Sequence, residues 1–172
     1  GATKYLTVNS QVAEATDANA LTAFNSDGFS LGTGNSQNVV NKNNEDFASW
    51  TFRKAPGFFD VVNYTGTGSN QNISHSLGCE PGCIITKKIG TSDSWYSWHR
   101  GLTGTNYLKY INLNDNAGEN AAYAAWAETA PTATHFTVGS SDATNINGGD
   151  FIAYIFAGGK GSSDNAVDLR LL

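Results

Sequence analysis

The stretch DFIAYIFAGG at residues 150–159 constrains the fold of this chain more than any other. Successive side chains of a strand point to opposite faces, so Phe151, Ala153 and Ile155 would share one face and Ile152, Tyr154 and Phe156 the other. Both faces are apolar, which predicts a central strand covered on both sides. A blurred copy, DFASWTFRKA, occupies 46–55, with Phe47, Ser49 and Thr51 on one face and Ala48, Trp50 and Phe52 on the other. A chain of 172 residues that writes its central strand twice is expected to contain an internal duplication.

Other segments repeat in the same order. TKYL at 3–6 corresponds to TNYL at 105–108, GFSLG at 28–32 to HFTVG at 135–139, and VVN at 39–41 to NIN at 145–147. The offset drifts by a few residues, as loop insertions and deletions produce. The middle of the chain, about 57–104, has no counterpart. The expected organisation is therefore the back half of one unit over 1–56, a complete unit over 57–159, and a closing strand or the start of another unit over 160–172, which could pack together as one compact β domain. With Gly1 first and no Met anywhere, the chain reads as a piece of a longer tandem array, cut out of phase with the repeat.

Period-two patterning predicts strands at KYLTVNS, GFSLG, NVVN and DFASWTFR in the first half. In the second half it predicts them at FFDVVNYTG, NISHSL, CIITKKI, SWYSWHR, TNYLKYINLN, HFTVGS and DFIAYIFAGG. Turn chemistry bounds them: GTGNSQN, TGTGSNQN, EPG, NDNAGEN and NGGD. DANALTAF (17–24) and NAAYAAWAE (120–128) read as short helices capped by Asp17 and Asn120. The fold class is mainly β: an antiparallel β-sandwich, jelly-roll or lectin-like, with one or two short helices and an internal duplication.

Composition narrows the function. Charged residues are only 15% of the chain, while 19 Gly and many Asn, Ser and Thr supply its polarity. That mixture is typical of extracellular or viral surface β proteins. A net charge of −5 without a basic cluster argues against nucleic-acid binding. No run of about 18 apolar residues predicts a membrane span. Cys79 and Cys83 lie four apart in LGCEPGCII; they read as small apolar residues at a turn or as a local disulfide, and three His without suitable spacing leave a zinc site without ligands.

The run from FDVVNYTGTGSNQN through HSLGCEPGCIITKK, SWYSWHR, YINLN, WAETAPTATHFTVG and DFIAYIFAGG closely resembles a repeated β-domain of phage tail-fibre-like and virion appendage proteins, common in marine phages and marine metagenomes. The order and spacing match over 59–159, and TKYL, FNSDGFSLG and FASWTFRKA match the back half of the same unit. Cys79 and Cys83 stand where that family usually carries other residues. The resemblance implies a virion-surface structural or adhesive module with no enzyme activity, no cofactor and no catalytic residue. Its partners would be other virion proteins, copies of itself, or a host surface glycan.

Chemistry-bearing constellations are few. SWYSWHR is the densest, and Trp95, Tyr96, Trp98 and Arg100, with Trp126, are the candidate glycan contacts. Aromatic faces stack on sugar rings and guanidinium groups bond hydroxyls; the competing reading is a core strand whose rings fill the sandwich. Ser74, His75 and Ser76 cannot form a nucleophile–base pair, because strand neighbours face opposite ways. A polysaccharide depolymerase would need two carboxylates about 5–10 Å apart in a groove. Glu45, Asp46, Asp60, Glu80, Asp93, Glu119, Glu128 and Asp150 are the available groups, with Asp46 and Asp150 at equivalent places of the repeat. The loops NDNAGEN and NGGD read as Asx-turns rather than calcium loops.

Overall fold

The computed structural model describes residues 2–33, 40–121 and 124–159. The fold is mainly β and antiparallel, as expected. Its frame is a six-stranded sheet. Its three long strands are β7 (Pro81–Lys88), β12 (Asp150–Ala157) and, at one edge, β5 (Phe59–Thr65). β8 (Tyr96–His99), β9 (Lys109–Asn112) and β10 (Asn120–Ala121) extend it, giving the order β10-β9-β8-β7-β12-β5.

DFIAYIFA is the central strand its pattern predicts. β12 pairs antiparallel with β5 on one side and β7 on the other, with Ala153 opposite Val62 and Thr86. Every backbone polar group in a sheet needs a partner, and a strand apolar on both faces gains most from a place between two others.

The second layer is a two-stranded sheet of β6 (Gln71–Ser74) and β11 (His135–Val138), in register from His135↔Ser74 to Val138↔Gln71. Ile73, Phe136 and Val138 from this layer meet Ile84, Trp98, Ala153 and Ile155 of the large sheet, and Leu77, Ala125 and Trp126 close the same core. This is sheet-on-sheet packing, the sandwich expected from strand density. One turn of helix, α1 (Asp142–Asn145), sits before β12. The buried Asn145 side chain donates from Nδ2 to the carbonyls of Ser69 and Gly139, 2.6 Å each, and so ties three loops together.

The other face of the large sheet is covered by the N-terminal part of the chain. β1 (Lys4–Tyr5) and β2 (Ala15–Thr16) pair with each other. The intervening loop lies on Trp95, whose Nε1–H donates to the carbonyls of Thr7 (3.1 Å) and Ser10 (3.2 Å). Trp95 stacks on Tyr154 with ring centroids 6.2 Å apart. Lys87 is buried beneath the same loop; its Nζ donates to the carbonyl of Lys88 at 2.7 Å, and burial pushes its pKa down. At the far end of this face Phe52 meets Phe156 edge-on at 5.4 Å and Phe59 at 5.6 Å.

One of the segment pairs compared in the sequence also shares a local geometry. Gly32 follows β4 (Phe29–Leu31), which pairs with β3 (Leu21–Phe24), and donates its N–H to the carbonyl of Ala20 at 2.8 Å. Gly139 follows β11 and donates to Ala125 at 3.1 Å. A Cβ on Gly32 would lie 2.3 Å from the Asn19 oxygen, and one on Gly139 would lie 2.2 Å from the Ala124 oxygen. Both glycines thus fold the same turn against the same kind of carbonyl.

Several expectations fail. The helix expected at 17–24 is a turn followed by β3: Asp17 Oδ1 accepts the Asn19 N–H at 2.9 Å, an Asx-turn, and LTAF then finds a strand partner. The helix expected at 120–128 is replaced by β10 and a turn at 124–128, where Ala127 (φ 51°) and Glu128 (φ 52°) adopt left-handed backbone that an α-helix excludes. KYLTVNS contributes only Lys4–Tyr5 to a strand, and TNYLKYINLN opens with a 3-10 turn over Asn106–Leu108 before β9. DFASWTFR at 46–53 forms no strand. Its counterpart β12 takes both partners from 57–104, the region that the first half does not repeat. NVVN lies partly, and 160–172 wholly, outside the described residues.

Candidate functional site

The tryptophans of SWYSWHR keep the predicted alternation, but both faces are covered. Trp95 is 3% exposed and Trp98 is 4% exposed, one beneath the N-terminal loop and the other in the sandwich core. Trp126 is 2% exposed, and its Nε1–H donates to the Lys109 carbonyl at 3.0 Å. None of these rings offers a face to a sugar, which corrects that expectation for all three. The crevice between Trp98, Trp126, Tyr107 and Pro131 has no interior room even for a water molecule.

Tyr96 and Arg100 reach the surface but do not converge. Tyr96 packs against Tyr110 of β9, ring centroids 4.8 Å apart. Arg100 Nη1 donates to the carbonyls of Gly158 and Gly159, the latter at 2.8 Å, which ties the end of β8 to the end of β12. Four residues along a strand separate the two by about 13 Å.

Asp60, Asp93, Glu119, Asp150 and His75 are engaged in structure. Asp60 is buried at the start of β5, where its carboxylate accepts the N–H groups of Val61 (2.8 Å) and Ser76 (2.7 Å) and the Lys54 ammonium at 3.0 Å. Burial alone would raise its pKa, but these donors outweigh it and hold the carboxyl below its ordinary value. His75 donates from Nε2 to the Thr132 carbonyl (3.2 Å) and accepts the Leu77 N–H at Nδ1 (3.4 Å). Burial pushes its pKa down, and with both nitrogens occupied by the backbone the ring is no free base. Asp93 pairs with Lys88, Asp150 accepts from Thr65 and Glu119 from Thr103. Among the described residues no group of three or more His, Cys, Asp or Glu is placed to hold a metal ion.

Cys79 and Cys83 are free thiols on opposite sides of the sheet. Cys79 packs against the sandwich core, whereas Cys83 stands opposite His99 and Phe156 on the other face. Of the two readings, small apolar residues at a turn and a local disulfide, the structure therefore bears out the first: the two sulfurs are not bridged.

The surface feature that stands out is the segment 46–58. All but Ala55 of residues 46–58 are exposed, although the segment carries four large aromatics: Phe47, Trp50, Phe52 and Phe58. Trp50 is 85% exposed. Among the described residues no backbone–backbone hydrogen bond reaches 46–54; the first is the Ala55↔Phe59 bridge that opens β5. Single exposed apolar residues are ordinary, whereas four exposed large aromatics so close along the chain are unusual for a surface segment. DFASWTFR predicts a strand residue at Trp50; the structure leaves the segment without a strand and the ring exposed.

Residues 1–166 match a family described as a domain of unknown function, DUF7483. No curated protein and no solved structure matches the chain.

Proposed function

For a chain that belongs to the DUF7483 family, we propose a non-catalytic structural and adhesive role, that of a module in a phage tail-fibre-like virion appendage, displayed on the particle surface. The observation that carries this reading is the aromatic strip around Trp50. The other three tryptophans are spent on the core, while Trp50 stands in open solvent. An exposed flat indole suits stacking on the apolar face of a pyranose ring or packing against a neighbouring protein. The Asn-, Ser- and Thr-rich surface supplies uncharged groups that bond hydroxyls. The sequence resemblance to virion appendage domains supports the same reading, with other virion proteins, copies of this chain and host surface glycans as partners.

Retention of the immobilised chain on bacterial cells and on purified lipopolysaccharide, capsular polysaccharide and teichoic acid tests the proposal. Saturable retention on at least one surface is expected, weakened by Trp50→Ala with the circular dichroism spectrum unchanged. No retention of the wild type on any of them would remove the adhesive role. Release of new reducing ends from a polysaccharide would replace it with depolymerase activity.

A further inference from the structure

We infer that two copies of this chain associate by strand exchange, the segment 46–53 of each adding to the free edge of β5 in the other. The inference rests on the same exposed strip as the adhesive reading and names its partner. Four observations converge on it.

First, the pattern of 46–53 predicts a strand, and the segment has no strand partner among the described residues. It matches β12 residue for residue in its alternation, and β12 pairs with β5 along the whole length of that strand. Second, β5 is the outermost strand of the six-stranded sheet and is seven residues long. The N–H and carbonyl of Phe59 face the free side, where they meet Ala55, while Gly66 N–H faces Gly149 on the β12 side. By alternation the backbone groups of Asn63 and Thr65 also face the free side, where they make no hydrogen bond among the described residues. Such an edge is a template for another strand.

Third, the chain does not use its own arm to cover that edge. Pairing stops at Ala55↔Phe59, and Phe52 packs on Phe59 and Phe156 at the face of the sheet. Fourth, arm and edge are joined by a tight turn through Pro56-Gly57, with Gly57 at φ 72°, so the arm starts directly beside the edge strand. Because arm and edge belong to one chain, two copies exchange them reciprocally around a two-fold axis, which closes the assembly and leaves no arm over. Trp50 and Phe47 become covered in the same step.

Sedimentation velocity across a concentration series, combined with hydrogen exchange at Asn63 and Thr65, tests the exchange. The wild type should pass from monomer to dimer, with these two amides protected only in the dimer. Trp50→Asp should raise the dimer dissociation constant at least tenfold. Asn63→Pro should do the same without touching the aromatic strip, because the N–H it removes makes no bond in the monomer. A wild type that stays monomeric, a dimer indifferent to both substitutions, or protection of Asn63 and Thr65 in the dilute monomer would each overturn the inference. A monomer that still binds bacterial polysaccharide would leave the adhesive reading standing. A dimer retained on no surface would do the reverse.

Discussion

Gly139 donates its N–H to the carbonyl of Ala125 at 3.1 Å and leaves no room for a side chain, since a Cβ there would lie 2.2 Å from the Ala124 oxygen. Gly32 stands in the same relation to Ala20 and Asn19. The contact is made with backbone, which cannot move aside as a side-chain tip can. Gly139→Ala is therefore expected to destabilise the fold by about 1–3 kcal/mol, read from the midpoint of chemical denaturation. Gly32→Ala should cost the global transition less, because β3 and β4 pair only with each other and can open alone.

Trp98→Ala and Trp126→Ala should each lower stability by about 3–5 kcal/mol, as truncation of a buried indole does. Trp50→Ala should change it by no more than about 0.5 kcal/mol. Urea titrations of the three variants followed by far-ultraviolet circular dichroism check the contrast. Equal losses in all three would mean that the Trp50 strip is part of the core.

His75 should make the protein acid-sensitive before its carboxylates do. Its folded pKa is depressed, chiefly by burial and further by His135, against the opposing pull of the Thr132 carbonyl and Asp60. An unfolded imidazole titrates near about 6.5. Above that pH both states are neutral and stability is full. As pH falls below it, the unfolded state takes up a proton that the native ring refuses, so stability drops until the folded pKa is passed. Protonation at Nδ1 also costs the bond from the Leu77 N–H. His75→Gln should flatten this slope in denaturation midpoints measured from pH 7.5 to 5.

Asp60 acts in a lower window. Its folded pKa lies below the ordinary carboxylate value, so its contribution is full above the unfolded pKa of about 3.9 and is lost as pH falls through the folded one. Asp60→Ala strands the N–H groups of Val61 and Ser76 and should cost about 2–4 kcal/mol at neutral pH. Lys54→Ala removes only an exposed partner and should cost under about 1 kcal/mol.

The cysteines should behave as two unlinked thiols. Burial pushes the Cys83 thiol up to about 11, so at pH 8 its thiolate fraction is roughly a hundredfold below that of an exposed cysteine. Alkylation of the native protein should modify Cys83 far more slowly than the urea-unfolded chain, and reductant should leave the denaturation midpoint unchanged.

The sequence alone determined most of the second half. β5, β7 and β12 are long and regular in alternation, and turns carrying Gly, Asn and Pro bound them, so local pattern and tertiary pairing agree there. DFIAYIFA announced a central strand because a segment apolar on both faces has nowhere else to go. What only the tertiary structure decided was which apolar residues found cover. Trp98 and Trp50 have the same chemistry and similar strand contexts, yet one is core and the other lies in solvent. Trp98 has β7 beside it and the β6–β11 layer above it, whereas 46–53 has the pattern of a strand and finds no strand partner among the described residues. The two helices failed for a related reason: helical propensity in DANALTAF and NAAYAAWAE is weak and local, and a strand partner at one and left-handed turn residues at the other outweighed it. Burial is a property of pairs of segments, and one segment's pattern states the need for a partner without supplying it.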